Sequence, residues 1–443
     1  MSTQPNTERA QDNLMGEGFA EVGPLGPPYP IDSRINDAGH LEIGGCDVLE
    51  VAAEFGTPAY IYAENDLRDR ARAVVGAFAA ADAGSDDAPE TGVLFASKSF
   101  PCTAAYRLMA AQGVYCDVAS GGELYLALQG GFAPERILMH GNNKTTAELE
   151  QAIAANIGYI VVDSFDEIDR LAPILPADGP KTLIRVAPGI KPSTHAYIQT
   201  GQVDSKFGIP LSQVEQAIQK VPNFVGLHCH LGSQFFEVDI FKAAAEVLAS
   251  FEVKCQVVNV GGGFGIPYLE HDHPPKIAEY ANTITRAVRE NFGAQAKIMV
   301  EPGRWLVGNA GTTAYTVGTV KEIPGVRRYV AVDGGMSDNI RPMLYDAEYT
   351  GVVADRAAEI PQRDVRVVGM HCESGDVILP EVMLHEPQVG DTLVVPSTGA
   401  YGHAMASNYN GVTRPPVIFC SEGNARVVVR RETHADLSAR DVE

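Results

Sequence analysis

Lys98 closes the apolar run Val93-Leu94-Phe95-Ala96-Ser97, so a β-like stretch delivers an amine at its tip. Burying an ammonium costs roughly several kcal/mol, which favours the neutral amine, a carbonyl nucleophile. A lysine that snorkels to water where the strand ends is the plain alternative. Glu301 opens a Glu-Pro-Gly-Arg run ending at Arg304. A carboxylate at a strand tip suits the nitrogen of a pyridine ring, whose protonated form withdraws electrons. His228 and His230 are two apart and share a strand face, which admits zinc if another strand adds a ligand. His230, beside the Gly232-Ser233 loop, better suits stacking on a planar group. The turn Gly261 to Gly265 lets bare backbone N–H groups approach an anion, with Ser233 and Arg304 as further donors. It lies too late in the chain for a dinucleotide turn, which opens a βαβ unit and has an acidic residue about 20 positions on.

Together, an amine nucleophile, an anion cradle, a stacking ring and a carboxylate for a ring nitrogen specify pyridoxal 5′-phosphate. Cys372, between His371 and Glu373, suits a nucleophile, a metal ligand or a proton donor. With no CxxC partner and a cofactor that makes carbanions, proton donor is the best of these uses.

These residues need a scaffold that gathers strand ends. Eight apolar, β-rich runs supply it: Val93 to Ser97, Val114 to Val118, Ile137 to His140, Tyr159 to Asp163, Thr182 to Ala187, Phe224 to His230, Val257 to Gly261 and Lys297 to Glu301. Helical patterns lie between them, several opened by Ser, Thr or Asp caps. Eight strands alternating with helices imply a parallel (β/α)8 barrel, an α/β fold that places its chemistry at the C-terminal strand ends. Arg185 lies on the fifth run. After about residue 320, strands follow without helices, which implies a separate all-β domain, sandwich- or barrel-like. Runs at Leu41 to Ile43 and Ala59 to Tyr62 fall outside the barrel count and are expected to pair with it. The expected domains are a flexible arm over 1–30, a segment over 31–64 joining the β domain, the barrel over 65–322 and the β domain over 323–443.

Composition narrows the partners. With 443 residues, 45% hydrophobic and 20% charged, the chain can bury a large core. A net charge of −22 argues against nucleic acid or an anionic membrane surface. No apolar run is long enough to span a bilayer, and the seven scattered cysteines suit reduced thiols in a cytoplasm.

From about residue 56 to 430 the chain resembles the fold-type III pyridoxal-phosphate decarboxylases. The likeness rests on Phe95 to Ser99, Thr194 to Gly208, Gly226 to Gln234, Glu301 to Arg304, Asp333 to Asn339, His371 to Asp376 and Ala404 to Asn410. Ornithine and arginine decarboxylases share several of these, and the 194–208 loop favours the branch acting on diaminopimelate. The resemblance implies conversion of meso-2,6-diaminopimelate to L-lysine and CO2. It implies that Lys98 forms the internal aldimine, His230 stacks on the ring and Glu301 binds its nitrogen, with Arg185 also in the cofactor set. Ser233, the Gly262, Gly263 and Gly265 amides and Tyr401 hold phosphate. Arg304, Arg341, Tyr345, Glu373 and Tyr401 meet the substrate. Cys372 and Glu373 come from the other subunit of a homodimer with shared active sites. The family's lysine motif often continues Ala-Asn; Ser99-Phe100 stand here instead, so that asparagine contact is not carried over. Alternatives are a decarboxylase of ornithine, arginine or carboxynorspermidine, a racemase, which needs acid/base groups on both faces of the cofactor, and a silent binding homologue, which would have lost Lys98 or Cys372.

Overall fold

The computed structural model describes residues 21–83, 88–189 and 205–442. Residues 1–20 of the expected arm, and 194–204 of the diaminopimelate-favouring loop, lie outside these. Two compact units result. Among the described residues, one joins Asp69–Gly265 with Pro274–Gly303; the other joins residues 21–68 with Ile266–His273 and residues 304–442.

The first unit is the expected barrel. Its strands are Gly92–Ala96, Tyr115–Val118, Ile137–Met139, Tyr159–Val162, Lys181–Ala187, Phe224–His228, Val257–Asn259 and Lys297–Val300. Each pairs in parallel with the next, and Lys297–Val300 pairs with Gly92–Ala96 to close the ring. Every strand contributes to one apolar cluster: Leu94, Tyr115, Leu138, Tyr159 and Val161, Leu183, Val225, Val257 and Met299. These fill the interior, as in a packed barrel rather than a pore.

Side chains alternate along a strand, so the residue two positions beyond each plug residue faces the same interior, one layer nearer the C-terminal end. That rule leads from Tyr115 to Asp117, Leu138 to His140, Val161 to Asp163, Leu183 to Arg185, Val257 to Asn259 and Met299 to Glu301. The sixth strand departs from it: its register shifts between Phe224 and Gly226, and His228 follows Val225 by three positions. A bulge of this kind re-aims the residues beyond it. The polar layer above the apolar plug is the candidate site.

The second unit is built around one long strand, Gly311–Ile323, which pairs antiparallel with Ala59–Ala63, Thr392–Val395 and Arg327–Val332 along successive parts of its length. This strand places the start of the β-rich unit at Arg304 rather than 323. Composition hid it, because it runs from fully buried to exposed and so shows no single alternation. Ala59–Ala63 joins this sheet as expected and also pairs in parallel with Val417–Ser421. Leu41–Ile43 does not join it; with Arg34–Ile35 and Cys46–Asp47 it forms a separate small sheet. Nor is the end of the expected arm loose. Pro28 is buried and its carbonyl accepts from Ser397 Oγ at 2.9 Å, and Leu25 and Tyr29 pack on the unit's core.

Candidate active site

Glu301 is buried just past the last barrel strand. Its Oε1 accepts from His140 Nε2 at 2.7 Å and from Asn259 Nδ2 at 2.7 Å. His228 Nε2 lies 3.3 Å from Oε1 and 3.4 Å from Oε2. An ionised carboxylate only accepts, so both imidazoles present Nε2–H to it. Burial pushes this carboxyl up, yet the two histidines outweigh burial and hold Glu301 well below the usual carboxylate range. Burial brings His228 down to about 4 despite the opposing pull of Glu301, so it is a neutral donor at pH 7. Asp117, with Oδ1 3.9 Å from His140 Nε2, moves the other way. Burial lifts it to about 7, with His140 opposing and Glu301 adding to the rise. Neighbouring carboxyls with pKa values pushed apart in this way can carry different charges at neutral pH.

His230 serves a different contact from His228, which removes the shared-zinc alternative for that pair. Its Nδ1 accepts the Gly262 N–H at 3.2 Å. Burial first, then the Lys98 charge, bring its imidazole down to about 3, so the ring is neutral. The glycine turn packs against it. A Cβ on Gly262 would lie 2.0 Å from the Glu301 carbonyl oxygen; one on Gly263, at φ +106°, would lie 2.6 Å from that of Gly232. Two of the three expected phosphate donors are spent within the protein: Gly262 on His230, and Gly265 on the Phe235 carbonyl and Tyr280 hydroxyl, both at 3.2 Å. The cradle expectation narrows to Gly263 among these glycines. Ser233 is exposed in the same loop region.

Lys98 sits in the short turn Ser97–Ser99 directly after Gly92–Ala96. Ser97, Ser99 and Phe100 are buried, and Ser99 Oγ donates to the Ala96 carbonyl at 2.8 Å, which holds the turn. A Cβ on Gly303 would approach Ala96 to 3.0 Å, so the glycine of the Glu301 to Arg304 run lets the two turns pack. Lys98 itself is exposed rather than buried as first expected. Arg185 and His230 line one cavity of about 280 Å³. There Arg185 Nη1 lies 3.6 Å from Asp163 Oδ1, and its guanidinium stands 4.4 Å from the Phe207 ring centre.

The β-rich unit gathers a second set. Arg341 is buried, and its Nη1 donates to the Tyr268 hydroxyl at 3.0 Å and to the Tyr349 hydroxyl. Arg304 donates to the same Tyr268 hydroxyl and lies 5.0 Å over the Tyr401 ring. One tyrosine hydroxyl thus draws two guanidiniums together, an arrangement suited to an anion. Cys372 and Glu373 are exposed on their own loop, and Tyr345 is 60% exposed at the end of the Arg341–Tyr345 helix. Asp376 holds that loop by accepting the N–H groups of Met336 at 2.7 Å and His371 at 2.8 Å, while Glu373 accepts from Tyr409.

Sequence reasoning missed His140, Asn259, Asp117, Tyr268 and Tyr349. The first three were findable by counting two positions beyond the apolar plug on every strand. Tyr268 carries no such signal, because it lies in a segment between periodic elements.

The profile of the family described as "Pyridoxal-dependent decarboxylase, pyridoxal binding domain" matches residues 77–308. Diaminopimelate decarboxylase of Bacillus subtilis (strain 168) is 46% identical over 431 residues, covering 93% of this chain and 97% of that protein. The corresponding protein of Actinosynnema pretiosum subsp. auranticum is 42% identical, covering 97% of this chain and 100% of that protein. The crystal structure of diaminopimelate decarboxylase from M. jannaschii superposes with a TM-score of 0.86 at 31% identity, covering 94% of this chain and 98% of that one. With this barrel, this polar layer and these relatives, the chain belongs to the diaminopimelate decarboxylase family of pyridoxal-dependent decarboxylases.

Proposed function

We propose that the protein binds pyridoxal 5′-phosphate and decarboxylates meso-2,6-diaminopimelate to L-lysine and CO2. The observation that carries this reading is Glu301, a buried carboxylate held ionised by its two histidine partners and suited to a protonated ring nitrogen. The cofactor, when bound, supplies an electron sink for the bond that breaks.

The chain's own residues take the remaining tasks. Lys98 anchors the cofactor through its amine, neutral His230 stacks on the ring, and Glu301 keeps the proton on the ring nitrogen. Gly263, Ser233 and Tyr401 hold phosphate, and Arg185 completes this set. Arg304 and Arg341, with Tyr345 and Glu373, meet the carboxylate and ammonium at the substrate's far end. A site built for such groups rejects substrates lacking them by orders of magnitude. Cys372 delivers a proton to the carbon that has lost CO2.

Cys372 and Glu373 act in the site of a second copy, in a homodimer. This is supported by their exposure and by the exposed Met343, Leu344, Tyr345 and Met370 of the same unit, an apolar set that a second copy would cover. All seven cysteines are free, which suits a reducing cytoplasm, and among the described residues no helix is long and apolar enough to cross a membrane. The similar M. jannaschii enzyme has also been solved in co-complex with L-lysine, the product assigned here.

Product analysis tests the proposal. With pyridoxal phosphate and meso-diaminopimelate, lysine and CO2 should form in equal amounts, and ornithine, arginine and carboxynorspermidine should turn over far more slowly. Lys98→Ala should lose the visible absorbance of the bound cofactor. Absence of lysine, or preference for another amino acid, would overturn the substrate assignment; an unchanged Lys98→Ala spectrum would overturn the cofactor assignment.

A further inference from the structure

His140 stands at the tip of the third barrel strand, buried, with its backbone N–H on the Val118 carbonyl at 2.7 Å. Its Nε2 is 2.7 Å from Glu301 Oε1, and its ring lies 4.6 Å from that of His228. Asn259 Nδ2 fills a second place on the same oxygen at 2.7 Å. A carboxylate oxygen with two short donors is largely satisfied. On Oε2 the approach is longer, from His228 Nε2 at 3.4 Å.

We propose that His140 is a positioning residue for Glu301: paired with Asn259 it occupies Oε1 and so leaves Oε2 as the oxygen that meets the cofactor's ring nitrogen. The inference rests on the cofactor reading given above. His228 is the weaker arm of the clamp. Its Nδ1 is buried without a hydrogen-bond partner among the described residues, consistent with a neutral ring whose one N–H points at Glu301. The charges around the clamp are Asp117, 3.9 Å from His140, Lys98 and Glu123, which act on Asp117, and Arg185, which acts with Lys98 on the neighbouring His230. Without His140, burial acts on the carboxyl with one strong donor fewer, so its pKa rises and its protonated fraction grows as pH falls.

The test uses the full-length, cofactor-loaded protein, with Kd obtained from cofactor loss on serial dilution and the visible spectrum followed from pH 6 to 9. His140→Gln places an amide N–H close to the position of Nε2; His140→Leu removes the donor. His140→Leu is expected to raise Kd roughly ten- to hundredfold, the range for a hydrogen bond to a charged group. Its Kd and spectrum should depend on pH more steeply than wild type, with weaker binding at lower pH. His140→Gln should restore most of the affinity and the flatter profile, which a merely space-filling role would not predict. Wild-type affinity and pH dependence in His140→Leu would overturn the proposal. So would a His140→Gln variant as weak as His140→Leu, provided both melt as the parent does, or stoichiometric zinc retained by wild type and absent from His140→Leu. Failure of wild type itself to bind pyridoxal phosphate would show in its spectrum and would overturn the cofactor reading together with this one.

Discussion

Asn410 Oδ1 accepts the backbone N–H of Cys372 at 3.2 Å, across 38 residues of sequence. The same oxygen lies 3.2 Å from His371 Nδ1, and His371 Nε2 lies 2.8 Å from Ser337 Oγ. An Asn oxygen accepts only, so Nδ1 carries a proton toward it. Asn410 has φ +55°, a left-handed conformation that asparagine tolerates better than most residues. The Ala404 to Asn410 motif therefore has a physical task, which is to fix the turn that presents Cys372.

Asn410→Ala should lower kcat about tenfold with little change in KM, the effect of losing one such hydrogen bond at a group used in the chemical step. Among the seven cysteines only Cys372 is exposed, so its rate of labelling by a thiol reagent reports the loop directly. Labelling should accelerate in Asn410→Ala. Unchanged labelling and unchanged kcat would show that the contact does not position the thiol.

Subunit mixing examines the shared site. Lys98→Ala and Cys372→Ala are each expected to be nearly inactive. In a two-fold dimer, random exchange of equal amounts places half the chains in mixed pairs, each with one intact site, so activity should return to about a quarter of wild type. Confirmed exchange without recovery would place both residues in a site within one chain.

The barrel also holds a buried ion pair. Lys144 Nζ is 2.7 Å from Glu167 Oε1, and the same ammonium donates to the carbonyls of Val161 at 2.7 Å and Gly141 at 2.8 Å. Burial pulls the Lys144 pKa down against the opposing pull of Glu167. Glu167→Ala should destabilise the fold by about 3–5 kcal/mol, because it leaves an uncompensated buried charge. Lys144→Met combined with Glu167→Leu should recover much of that loss. Urea unfolding of the three proteins measures both effects, and a small loss in the single variant would show that water reaches Lys144.

The sequence by itself determined the barrel and its rhythm, since eight buried strands alternating with capped helices leave few other folds. It also made Lys98, His230, Glu301, Arg304 and Cys372 legible as chemistry, because a lysine, histidine or glutamate at a strand tip is conspicuous against an apolar run. Only the tertiary structure decided what each of them touches. Glu301 meets His140, 161 positions away, and Asn259, 42 positions away, through barrel closure, which brings distant strand ends into one layer. The structure likewise spent the Gly262 and Gly265 amides on His230, Phe235 and Tyr280, separated His228 from His230, and drew Arg304 and Arg341 onto Tyr268. The physical reason is that strand periodicity is local and survives in one dimension, whereas the partner of a buried polar group is chosen by whichever donor or acceptor the closed fold brings within about 3 Å.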